Sequence, residues 1–130
     1  MKKPGAGAKR ILVVEDELAI CELCLRVLSG EGFEVNIAAN GKVAQGMVEE
    51  KQYDLCLIDI KMPIMNGKAL YLWLKEKHPQ LSSRVIFTTG SVTGGETTTF
   101  LEQSGRPFLP KPFTPDELKA ILRESLKEAG

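Results

Sequence analysis

What most limits the fold of this chain is an alternation of periods. From Arg10 to Ala129, short apolar runs alternate with segments of helical spacing. "RILVVED" is an apolar run ending in acids, and "ELAICELCLRVLSGEG" then carries Leu18, Cys21, Leu25 and Leu28 at helical spacing before it closes on glycine. "FEVNIAA" and the helical "GKVAQGMVEEK" repeat the pair, with Val43, Ala44, Met47 and Val48 expected on the inward face. "DLCLID" is continuously apolar rather than alternating, as in a strand covered on both sheet faces. The loop "IKMPIMNG" leads into "KALYLWLKEKH", a helix that Pro79 is expected to close. "RVIFTT" precedes a weak helix, "GGETTTFLEQSG", and "PFLP" precedes "TPDELKAILRESLKEA". Thr114 and Glu117 there form a capping box, with Pro115 at the first helical position.

Five strands alternating with five helices predict an α/β fold, a doubly wound parallel sheet. Right-handed crossovers leave few topologies, of which the flavodoxin-like order 2-1-3-4-5 is the common five-stranded one. Pro107 and Pro110 support it, because proline lacks a ladder donor and belongs on an edge strand, where this order puts the fifth. The chain's 130 residues fit one domain. Residues 1–8, with Pro4, Gly5 and Gly7, read as a flexible leader or linker, and 9–130 as the domain. Lys+Arg and Asp+Glu both number 17, so no net basic charge points to nucleic acid or an anionic membrane. No apolar run approaches the roughly 18 residues of a membrane span, and no hydrophobic signal core precedes Ile11. Three cysteines in apolar patterns fit a reducing cytoplasm better than a disulfide framework.

In such sheets ligands bind beyond the carboxyl ends of the strands. Glu15 and Asp16 end the first strand, Asp59 the third and Thr89 the fourth, and Lys111 follows the fifth. Three crowded carboxylates repel, and their pKa values rise without a cation. A hard divalent ion resolves this, and Mg²⁺ pairs one or two carboxylates with a phosphate. A hydroxyl and a lysine across the same rim suit the oxygens of that phosphate.

These pieces, "ILVVEDE", "LCLIDIKMPIMNG", "VIFTTG" and "FLPKPF", resemble the receiver domain of two-component response regulators, in order and spacing, over Lys9 to Ala129. The resemblance implies that Asp59 is the phosphoacceptor and that Asp16 and Asp59 bind Mg²⁺. It implies that Glu15 takes part directly or through water and that the backbone carbonyl of Lys61 is a further ligand. Thr89 would hydrogen-bond the phosphoryl group, Lys111 would pair with its charge, and the Lys111–Pro112 bond would be cis. Phe108 holds the aromatic switch position but lacks a hydroxyl, so it acts by packing alone. Glu15 stands where aspartate is commoner. The implied donor is a histidine kinase or histidine phosphotransfer domain, with an unknown output partner, slow autodephosphorylation and no turnover of other substrates. The stretch "FLEQSGRPFLPKPF" is similar to receivers of hybrid histidine kinases; a stand-alone regulator is the other reading.

Other readings of the residues are weaker. Haloacid-dehalogenase phosphohydrolases also use a strand-end aspartate, but their D-x-D motif would need a second acid where Lys61 stands. A flavodoxin-like cofactor carrier needs a phosphate cradle after the first strand, which is absent from the sequence. A structural pseudo-receiver would lack site groups that are all present here. Cys21 and Cys24 form a CxxC inside a helix, without further ligands, and read as packing. His78, before Pro79, reads as a surface or capping residue. Leu70, Trp73 and Leu74 read as helix packing, while Thr97 to Thr99 weaken their helix.

Overall fold

The computed structural model describes residues 8–90 and 95–129. The expected leader, apart from Ala8, lies outside them, as does Gly94 at the start of the weak helix. Strands β1 (Arg10–Val14), β2 (Glu34–Ala38), β3 (Leu55–Asp59), β4 (Val85–Thr89) and β5 (Phe108–Pro110) form one sheet. All pairings are parallel, in the order β2-β1-β3-β4-β5. The proline-bearing β5 is an edge strand, as its missing donors require.

Helices α1 (Leu18–Gly30), α2 (Gly41–Glu50), α3 (Gly67–Lys77), α4 (Pro79–Ser82), α5 (Gly95–Ser104) and α6 (Pro115–Ala129) connect and cover the strands. Alternate side chains of each strand feed two cores. Leu12, Cys56, Ile58 and Phe87 pack with residues of α2, α3 and α5, whereas Ile11, Val13, Leu57 and Ile86 pack with those of α1 and α6. All five residues of β3 and of β4 are buried, the apolar ones and also the polar Asp59, Thr88 and Thr89 at their carboxyl ends.

Three expectations are corrected. Six helices are described rather than five, because Pro79 does not only end α3: it starts the single turn of α4, where a missing N–H and fixed φ are tolerated. Helix α1 turns Cys24, Val27 and Leu28 inward, leaving Leu18 (74% exposed) and Leu25 (44%) outside the core. Val43 is likewise exposed, while Ala44 and Val48 carry the buried face of α2. The capping box forms as the sequence predicts: Thr114 N–H donates to Glu117 Oε1 at 2.8 Å, and Glu117 N–H to Thr114 Oγ1 at 3.1 Å.

The loop from β3 to α3 is tight. Met65 N–H donates to Pro63 O at 2.8 Å across Ile64, whose φ is 71°, a turn that side chains rarely adopt. Asn66 then caps α3 through Ala69 N–H at 2.9 Å. Gly67 is required here by close approach. A Cβ on it would lie 2.4 Å from Asp59 O and 2.8 Å from Ile60 Cα, so the helix seats directly on the end of β3. Gly67→Ala should therefore destabilise by about 1–3 kcal/mol, because backbone must move. Gly46→Ala, mid-helix in α2 with nothing within 4 Å of the added carbon, should stabilise by about 0.4–1 kcal/mol. Urea unfolding of the two variants checks the contrast.

Candidate functional site: a buried acid and lysine at the carboxyl rim of the sheet

Residues distant in sequence meet because each ends or follows a parallel strand. Asp59, the last residue of β3, is 4% exposed, and Glu15, just past β1, is 2% exposed. Asp16 beside it is exposed. One carboxylate oxygen from each of Glu15, Asp16 and Asp59 lies within 4.8 Å of the others. Lys111 reaches into this cluster from beyond β5: its Nζ is 2.8 Å from Glu15 Oε1, 3.2 Å from Asp59 Oδ2 and 3.2 Å from Glu17 Oε1.

The backbone fixes the acids. Lys61 N–H donates to Asp59 Oδ1 at 3.2 Å, and Glu17 N–H to Glu15 Oε2 at 3.1 Å. The Cys21 thiol lies 3.4 Å from Glu15 O. Lys111 N–H donates to Thr89 O at 3.0 Å, so the lysine loop is tied to the end of β4. Thr88 and Thr89 are both buried, and the Lys111–Pro112 bond is cis. Phe108 is half-buried, in register with Phe87, and packs on the core of α2, α3 and α5.

Burial dominates the electrostatics. It pushes the Glu15 carboxyl up from its ordinary 4.5 to about 7, against the opposing pull of Lys111. Asp59 is also raised, chiefly by burial, again opposed by the Lys111 charge. For Lys111 burial favours the neutral amine, but the hydrogen bond to Glu15 and the charges of Asp59 and Glu15 outweigh it, so the ammonium is held. One lysine thus does not restore the buried acids to their ordinary range. A hard, oxygen-seeking cation fits this donor set, with Glu15, Asp16 and Asp59 as the residues able to hold it.

Glu17 escaped the sequence reading. The run Glu15-Asp16-Glu17 is visible in the sequence, but Glu17 opens a segment of helical spacing and its partner lies 94 residues away. His78 lies far from this rim, between α3 and α4, with its ring 5.1 Å from that of Trp73 and Nε2 3.5 Å from Glu49 Oε1. Leu70 and Leu74 are fully buried in the core that Trp73 borders. Cys24 is buried, and burial drives its thiol up to about 12, away from the reactive thiolate.

Known proteins share this fold and resemble this sequence. The family model described as "Response regulator receiver domain" matches residues 11–123. A CheY-like receiver domain protein from Methanospirillum hungatei JF-1 superposes with a TM-score of 0.85 at 32% identity, over 94% of this chain and 96% of that one. The response regulator TrrA from Thermotoga maritima, solved in complex with Mg²⁺ and BeF, gives a TM-score of 0.78 at 31% identity over 90% of this chain and 98% of that one. Transcription factor SKN7 of Candida albicans is 33% identical over 89% of this chain, but the chain spans only 20% of that protein's length. The sequence and the sheet together place the chain in the response regulator receiver domain family.

Proposed function

We propose that this chain is a phosphoacceptor module of a two-component phosphorelay, with Asp59 as the residue phosphorylated. The observation that carries the reading is the buried Asp59 carboxylate, held at a strand end 3.2 Å from the Lys111 ammonium and beside two further acids. The donor is a phosphohistidine on a histidine kinase or phosphotransfer domain. An Asp59 oxygen forms the bond to phosphorus, the N–P bond breaks, and its electron pair returns to the imidazole. Mg²⁺ held by Glu15, Asp16 and Asp59, with the Lys61 carbonyl, supplies charge neutralisation when bound. Lys111 orients the accepting carboxylate and then pairs with the phosphoryl charge. Slow hydrolysis of the aspartyl phosphate resets the module, which turns over no other substrate.

The output is a change at the surface of α5, β5 and α6. Thr89 is two residues beyond Phe87, whose ring packs edge-on against Tyr71 (5.2 Å) and against Phe100 of α5 (5.2 Å). The β3–α3 loop and α5 border a hollow of about 470 Å³, lined by Lys61, Met62, Thr97 and Phe100 among others, which gives α5 room to move. Taking a two-state surface from 1:99 to 99:1 needs about 5.5 kcal/mol. Hydrogen bonds to charged groups supply roughly 1.5–3 kcal/mol each, so both Thr89 and Lys111 are needed for a nearly complete switch. Phe108 follows by packing alone. The domain itself binds no nucleic acid, in keeping with its zero formal net charge, although the relatives include transcription factors and DNA-binding response regulators, of whose length this chain spans only part. No described helix is long and apolar enough to cross a membrane, and the three cysteines are free, which fits the cytoplasm. Both a hybrid kinase and a stand-alone regulator suit such a module.

Three outcomes test this. First, Asp59→Asn should fold but take no label from acetyl phosphate; mass spectrometry showing the same adduct on the variant would sink the assignment. Second, Thr89→Ala should still be labelled, yet amide NMR shifts on adding beryllofluoride should stay near Asp59 instead of spreading to Gly95–Phe100 and Phe108. Distant shifts equal to the wild type's would contradict the coupling. Third, the Glu15 carboxyl is raised from 4.5 to about 7. The folded chain therefore holds more protons than the unfolded one between these values, and stability falls as pH rises through that window. In chelator, the wild type should lose stability relative to Glu15→Gln from about pH 5 to about pH 8. Mg²⁺ at a hundred times its Kd should restore about 2.7 kcal/mol at the upper pH. A flat difference, or a Mg²⁺ response undiminished in Asp16→Ala, would count against the site.

A further inference from the structure

Lys111 has one partner that the phosphoacceptor reading does not use. Its Nζ stands 2.8 Å from Glu15, 3.2 Å from Asp59 and 3.2 Å from Glu17. An ammonium carries three N–H donors, and three carboxylates surround this one. A phosphoryl group on Asp59 inherits the donor that Asp59 held and brings three acceptor oxygens, so it gains a second donor only where Glu15 or Glu17 gives one up.

The three carboxylates are unequal. The side chain of Glu15 is 2% exposed, so stripping the cation from it strands a buried charge, whereas Asp59, 5% exposed, passes its charge to the phosphoryl group it carries. The Glu17 side chain is 60% exposed, and water replaces the lost bond. Glu17 is the N-cap residue of α1, in extended conformation, yet its side chain makes no capping hydrogen bond. Its carboxylate lies instead against Lys111, while its own N–H serves Glu15.

We propose that Glu17 is a positioning residue for Lys111: it holds the ammonium while Asp59 is unphosphorylated and is the partner released when a phosphoryl group arrives. The idea rests on the phosphoacceptor reading. It makes Glu17 a brake on loading, since the incoming group must displace a carboxylate of its own sign.

The test is calorimetric titration of the whole chain with beryllofluoride in saturating Mg²⁺. Glu17→Gln should tighten binding about two- to fivefold, the range of an exposed ion pair. The gain should vanish when Lys111→Ala is also present, because no ammonium is left to release. Glu22→Gln, which removes an exposed acid elsewhere on α1, should leave affinity unchanged. Binding by the wild type with Glu17→Gln no tighter overturns the inference alone. An equal gain from Glu22→Gln, or one that survives in Lys111→Ala, also overturns it, since net charge then explains the effect. If Lys111→Ala does not fold, the Glu22→Gln comparison decides. A wild type that binds no beryllofluoride overturns the phosphoacceptor reading and this inference with it.

Discussion

A carboxylate that should be in water sits 4% exposed at the end of the central strand, and Lys111 is what makes that tolerable. Removing one partner of such a buried pair costs about 3–5 kcal/mol, whereas exposed pairs contribute about 0–1 kcal/mol. The loop after β5 therefore has to close over the ends of β1, β3 and β4, and it is tied there by Lys111 N–H donating to Thr89 O at 3.0 Å. Even so, burial wins over the lysine at Glu15 and Asp59, both of which stay above their ordinary range. The rim is a place of stored electrostatic cost, which suits a site meant to gain from an arriving cation.

The hydrophobic sheet supplies the rigidity that this cost needs. β3 and β4 are buried throughout, and α3 packs so closely that Gly67 touches the Asp59 backbone. The same packing gives a route outward. Phe87 joins β4 to α3 and α5 through edge-on contacts with Tyr71 and Phe100, and Phe108 lies in register beside it. The end of β4 is thus linked to α5 through the buried rings of Phe87, Tyr71 and Phe100.

The sheet order and the meeting of Asp59, Glu15, Asp16 and Lys111 were legible in the sequence, because parallel strands bring their carboxyl ends to one rim. What was not legible has physical causes. Helix α1 is apolar on more than one side, so Leu18-Cys21-Leu25-Leu28 and Cys24-Val27-Leu28 are both reasonable stripes, and only packing against β1 and α6 chooses between them. Pro79 reads as a stop yet also suits a first helical position, which hid α4. Glu17 pairs with a residue 94 positions away, beyond the reach of any local pattern.

The most direct test of the account is a crystal structure of this chain with Mg²⁺ and beryllofluoride. The account predicts beryllium on an Asp59 oxygen, Mg²⁺ among Glu15, Asp16 and Asp59, and Lys111 Nζ bonded to fluoride with Glu17 released into solvent. Beryllofluoride bound away from Asp59, or Lys111 still held by all three carboxylates beside an occupied Asp59, would contradict it.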